Sequence, residues 1–183
     1  MAETVIVGLP VPSTSPAFLA VVGVHVALGL LGVASGAAAM FSRKGSERHR
    51  RFGLVYFWCL AGLAATAAGL AAVRWAEDKA LFALTLLAFG TALFGRWARR
   101  RAWRGWVRPH LAAMGLSYVT MLTAFYVDNG PNLPVWRALP PLAYWTLPAA
   151  IGLPIIVLAW RRHPLARPGS PGMETSSPRV FRR

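Results

Sequence analysis

Residues 17–51 read AFLAVVGVHVALGLLGVASGAAAMFSRKGSERHRR, an uncharged apolar run from Ala17 to Phe41 closed by a block holding Arg43, Lys44, Arg48, Arg50 and Arg51. About 20 apolar residues in a helix cross the roughly 30 Å hydrocarbon core of a bilayer, and lipid offers no partner to a free backbone N–H or C=O. The run therefore predicts a transmembrane helix anchored at its C-terminal end by cations. Four more runs lack Asp, Glu, Lys and Arg: Leu54 to Val73, Ala80 to Gly95, Pro109 to Val127 and Leu142 to Trp160. The third is short and must extend to about 78–97 to cross. The expected fold is an all-α polytopic membrane helix bundle. Its five spans fall at about 17–41, 54–73, 78–97, 109–127 and 142–160, between an outer segment 1–16 and a basic, disordered tail 161–183 rich in Pro, Ser and Arg.

Charge sorting sets the orientation. The first connection carries five cations, and the third with its flanks carries six (Arg96, Arg99, Arg100, Arg101, Arg104, Arg108). The tail carries six more, while the intervening connections hold only Arg74, Lys79 and Arg137. With 17 of 20 basic residues in alternate segments, the positive-inside rule places those segments in the cytoplasm, the N-terminus outside and the C-terminus inside a bacterial inner membrane. The same sorting assigns the net charge of +14 to insertion and to anionic headgroups of the inner leaflet, with no nucleic-acid partner. Trp75, Trp97, Trp103, Trp106, Trp136 and Trp160 stand at span ends or in connections, as an interfacial aromatic belt requires. Cys59 is alone, so neither an intrachain disulfide nor a CxxC redox pair is available. A signal peptide would suit Ala37, Ala38 and Ala39 as a cleavage tripeptide, but it needs a positive segment before its apolar core, and only Glu3 is charged there. The outer connection from Asp128 to Pro141 is rich in Pro, Asn and Gly and predicts an ordered, nonhelical cap.

Two helix faces carry candidate chemistry. His25, Gly29, Gly32, Gly36 and Met40 follow at steps of three or four on the first span. Gly32 and Gly36 form a GxxxG pair, answered on the second span by Gly62 with Thr66 and Ala65 with Gly69. That face serves either close helix packing or a flat group such as a porphyrin beside His25. The fourth span aligns His110, Met114, Ser117, Met121, Ala124 and Asp128, with Tyr118 and Thr123 alongside. A His and a Met one turn apart both ligate copper(I) or haem iron, so the candidate haem b or metal ligands are His25, His49, His110, Met114 and Met121. At about 1.5 Å rise per residue His25 comes level with residues 117–122, making Ser117, Tyr118 or Met121 its expected partner. His110 comes level with His49, and with Met114 they make a cytoplasmic-side pair. His163 in the tail is incidental. No HExxH, GxSxG, phosphate-binding glycine loop or intramembrane carboxylate pair occurs, and no catalytic residue is assigned. Both cytoplasmic hairpins show a basic run and then a histidine opening the ascending helix. That outline suits an internal duplication, although the third span has no match for His25.

The ordered set His25, Gly29, Gly36, then His49, Arg50, Gly53 and Tyr56, then His110, Met114, Ser117 and Tyr118 resembles a family of bacterial inner-membrane proteins with an HRxxG motif after the first helix. The likeness covers about residues 20–127, and the stretch LTAFYVDNGPNLPVW looks like a subgroup reaching the fifth helix. Where that family usually has Trp before the Met that follows its third histidine, this chain has Ala113. The family is a domain of unknown function, so the resemblance implies a fold and no reaction. A weaker likeness to cytochrome b561-type haem proteins implies histidine pairs on four helices, which this chain does not supply in full. The leading expectation is a noncatalytic accessory or structural subunit of a membrane complex, with other membrane subunits or a second copy as partner. The alternative is a b-type haem or metal-binding electron-transfer protein using His25, His49 and His110, and the third is a small transporter.

Overall fold

The computed structural model describes residues 4–6, 9–11, 15–73 and 75–162. Five helices carry the fold: α1 (Pro16–Phe41), α2 (Glu47–Val73), α3 (Trp75–Arg101), α4 (Val107–Asn129) and α5 (Pro141–Arg162). Each is long and apolar enough to cross a membrane. A short antiparallel ladder, β1 (Thr4–Ile6) with β2 (Leu9–Val11), precedes them. Arg74 and the tail from His163 onward lie outside the described residues.

The helices overrun the uncharged runs because charge ends a span without ending a helix. α2 starts at Glu47, about two turns before Leu54. Glu47 suits the positive end of the helix dipole and receives Arg50 at 2.7 Å and Arg51 at 2.9 Å, so the basic segment continues as helix on the water side. His49 consequently lies on α2 instead of in the connection. α3 extends both ways, with Glu77 and Asp78 in its first turn and Arg99, Arg100 and Arg101 in its last, each sign at the dipole end that favours it. The α1–α2 and α3–α4 turns are tight, and Gly45 (φ +80°) and Gly105 (φ +83°) supply the left-handed residue each needs. The α4–α5 connection is ordered but, contrary to expectation, not free of helix: two single 3-10 turns, Gly130–Asn132 and Trp136–Ala138, flank a turn at Pro134 and Val135. Tyr126 stacks on Trp136 at 3.9 Å between centroids, and the Tyr144 hydroxyl donates to Trp136 O (3.2 Å) and Leu139 O (3.3 Å), which orders the cap.

Sequential helices pack side by side, and α1 meets α4 along a narrower seam through Tyr118 on Val33 and Gly36 and Met121 on Gly32. The core is Tyr56, Phe57, Leu60 and Leu63 from α2, Ala88 and Ala92 from α3, and Met121 from α4. Behind this lies an internal repeat. The buried residues Gly32, Gly36 and Ala39 of α1 recur on α3 as Ala88, Ala92 and Gly95 at a constant shift of 56 residues. Ser35 bonds back to Leu31 O and Gly32 O, and Thr91, at the same shift, bonds back to Leu87 O and Ala88 O. Between α2 and α4 the shift is 61. His49 corresponds to His110, Tyr56 to Ser117, Phe57 to Tyr118 and Leu60 to Met121. The hairpins α1–α2 and α3–α4 thus follow one plan of buried and hydrogen-bonding positions, and α5 packs mainly on α4, with Tyr144 against Gly130. Gly115 and Gly152 make that packing close. A Cβ at Gly115 would meet Ile156 at 2.6 Å, and one at Gly152 would overlap Val119.

Candidate functional site

The repeat brings Tyr56 and Ser117, equivalent positions on α2 and α4, together at the bundle centre with 2.8 Å between their oxygens. Ser117 spends its proton on Met114 O at 2.9 Å, so its oxygen accepts and the Tyr56 phenol donates. Both side chains are almost wholly buried, where an unmade hydrogen bond is costly. Beside them the Tyr118 hydroxyl donates to Val33 O on α1 at 3.1 Å. Its ring covers Gly36, where a Cβ would meet Tyr118 at 2.6 Å and Tyr56 at 3.0 Å. The Gly36 end of that face therefore serves packing and is filled by tyrosine, whereas at Gly29, one turn from His25, a Cβ would meet nothing within 4 Å. Gly32, like Gly36, is closed, by Cys59 and by the Met121 sulfur, each 3.5 Å from where a Cβ would sit.

All three membrane histidines are held through Nδ1. His49 Nδ1 donates to Ala39 O on α1 at 2.9 Å, and His110 Nδ1 donates to Gly95 O on α3 at 2.9 Å. These carbonyls are equivalents in the repeat, so each hairpin carries the same clamp from the start of its second helix to the end of its first. A carbonyl only accepts, which fixes the proton on Nδ1 and leaves the lone pair of the neutral ring on Nε2. His49 and His110 lie near enough to act on each other's charge, with Lys44 and Arg99 also in reach. The level deduced from helix rise is the level they occupy. Lys44, in the turn, donates to Met40 O at 2.5 Å, closing the end of α1, and burial draws its ammonium pKa below the ordinary lysine value.

His25 differs from expectation. Its Nδ1 lies 2.8 Å from Thr66 Oγ1 on α2, in place of Ser117, Tyr118 or Met121 on α4. Thr66 gives its own proton to Gly62 O at 2.9 Å and so accepts from the imidazole. Helix rise set His25 too far in: Gly32 meets Met121 and Val33 meets Tyr118, so His25, about two turns further along α1, comes level with the Asp128 end of α4 and bonds to α2. Asp128 at the end of α4 remains within electrostatic reach.

Among the described residues no three His, Cys, Asp or Glu side chains converge as a metal cage. What His49 and His110 could each offer a metal or haem iron is an Nε2 lone pair. Met114, one turn beyond His110, is turned onto Gly95, its sulfur 3.0 Å from where a Cβ would sit. Met121 belongs to the core. Tyr56 and Thr66 were the interior polar residues least weighted by sequence reasoning. The spacing of Tyr56, Leu60 and Leu63 on one face of α2 was the signal for the first. Compared with known protein families, curated proteins and solved structures, the chain matches none.

Proposed function

We propose that the protein is a noncatalytic accessory or structural subunit of the bacterial inner membrane, working through helix contacts with its cationic turns on the inner leaflet. The observation that carries this reading is the use made of the interior polar groups. Tyr56 to Ser117, Tyr118 to Val33 O, His25 to Thr66, His49 to Ala39 O and His110 to Gly95 O each tie one helix to another. Side chains that could have served chemistry are spent on holding the bundle. The outward side of α1 supports a contact role: Ala20, Gly23, Ala27, Leu30 and Ala34 form an exposed stripe at steps of three and four. Small residues of this kind allow a neighbouring helix to approach closely. Membership of the HRxxG family belongs to the same proposal, on the residues that carry that likeness.

The test is copurification in mild detergent with a photo-crosslinking residue at Gly23 or Ala27. A discrete crosslinked partner or homo-oligomer is expected, and a protein that stays monomeric and uncrosslinked under all mild conditions contradicts the reading.

A second reading rests on the preset tautomers of His49 and His110, since a backbone carbonyl on Nδ1 is the arrangement that orients Nε2 toward a metal. On this reading the pair holds a b-type haem or a transition metal for electron transfer. Purified protein would then show a Soret band or stoichiometric metal, lost in His49→Ala and in His110→Ala; a colourless, metal-free preparation removes it.

A further inference from the structure

The repeat makes one absence on the molecular surface informative. α5 covers α4 along Gly115 and Val119, through Ile156 and Gly152. At the constant shift of 61, the equivalent positions on α2 are Leu54 and Trp58, and these stand open, 41 % and 62 % exposed. Among the described residues no helix occupies that place. Trp58, though not Leu54, lines a recess of about 260 Å³ between α2 and α3 with Phe57, Leu93, Arg96, Trp97 and Arg100, adjoining a second of about 270 Å³ lined by Arg96, Arg99 and Arg100.

We propose that this recess is a specific site for an anionic phospholipid, with the phosphate between Arg96 and Arg100 and an acyl chain along Phe57, Trp58, Leu93 and Trp97. The recess has the two halves of such a ligand: an apolar trough within the spans and guanidinium groups at their cytoplasmic end. Arg96 is already positioned, its guanidinium 4.7 Å from the Phe57 ring centroid. Among the described residues none of the three arginines takes part in an ion pair, and no acidic side chain lines either recess. A planar guanidinium matches phosphate oxygens two at a time. Basic pockets between helices on the cytoplasmic side are the sites anionic headgroups select. The other natural occupant, α5 of a second copy, would bring Arg161 and Arg162 at its C-terminal end to the arginine-lined end of the recess, and like charges oppose that. The headgroup orientation rests on the proposed cytoplasmic placement of the third connection, but binding in detergent does not depend on it.

The experiment is native mass spectrometry of the full chain in mild detergent, titrated with phosphatidylglycerol, with phosphatidylcholine and with inorganic phosphate. One phosphatidylglycerol per chain is expected, bound about tenfold more tightly than phosphatidylcholine and not displaced by inorganic phosphate. Arg96→Gln with Arg100→Gln should weaken it about tenfold and the exposed Arg100→Gln alone about threefold. Removing two cations from the other basic turn, Arg43→Gln with Arg48→Gln, should leave it within about twofold. Equal weakening by the two double variants, equal affinity for phosphatidylcholine, or displacement by free phosphate overturns the site. So does a lipid-free dimer that Trp58→Arg dissociates. Retained helical circular dichroism in Arg100→Gln keeps the result readable if the double variant misfolds.

Discussion

Tyr56 and Ser117 occupy the same position in two versions of one helical hairpin, and their hydroxyl oxygens meet 2.8 Å apart at the centre of the bundle. The repeat thus contacts itself through a polar pair whose donor and acceptor roles are settled by the Ser117 bond to Met114 O. Deleting the phenol hydroxyl in Tyr56→Phe is predicted to cost about 0.5–1.5 kcal/mol. Ser117→Ala costs more, because it leaves the buried phenol without an acceptor. A double-mutant cycle read by unfolding in mixed micelles should give a coupling of about 0.6 kcal/mol or more.

Glycine substitutions along α1 separate packing from free surface. Gly36→Ala drives a methyl into the Tyr118 and Tyr56 rings and is predicted to destabilise by about 1–3 kcal/mol. Gly23→Ala meets nothing within 4 Å and should be neutral or stabilising by up to about 1 kcal/mol. Tyr118→Ala in the Gly36→Ala background should recover part of the loss, and a failure to do so would place the strain elsewhere.

The His25 bond is directional, so its two partners are not equivalent in cost. Thr66→Val leaves the imidazole Nδ1–H without its acceptor and is predicted to cost about 1–3 kcal/mol, whereas His25→Leu leaves Thr66 still bonded to Gly62 O and costs less. Adding His25→Leu to Thr66→Val should then restore stability. Additive losses in the same unfolding assay would contradict the assignment of donor and acceptor.

Because the carbonyl clamps of His49 and His110 are equivalent in the repeat, His49→Ala and His110→Ala are predicted to destabilise by similar amounts, about 1 kcal/mol each. Thermal unfolding of the two purified variants checks this. A loss confined to one of them would mean that the hairpins bear unequal load.

Spans and their number were legible because the hydrocarbon core tolerates no cations, so the uncharged runs marked each crossing directly. Helix ends were not. Glu47 with Arg50 and Arg51 extends α2 into water by local ion pairing, which no span-counting argument detects. Levels were legible only in part: His49 and His110 lie within electrostatic reach of each other, but His25 comes level with Asp128 instead of residues 117–122. Lateral adjacency was hidden, and His25 bonds to Thr66 on α2 instead of to α4. The likeness of the two hairpins was faint in sequence because the matching positions hold different residues. Gly36 answers to Ala92, Ser35 to Thr91 and Leu60 to Met121.

Threading of the bilayer can be measured most directly by labelling single cysteines on intact cells in a Cys59→Ala background. With a membrane-impermeant maleimide, Asn132→Cys should be modified from outside, and Ser46→Cys and Arg104→Cys only after the membrane is permeabilised. Labelling of Arg104→Cys and Asn132→Cys from the same side of the intact membrane would contradict the five-span, cation-inside arrangement.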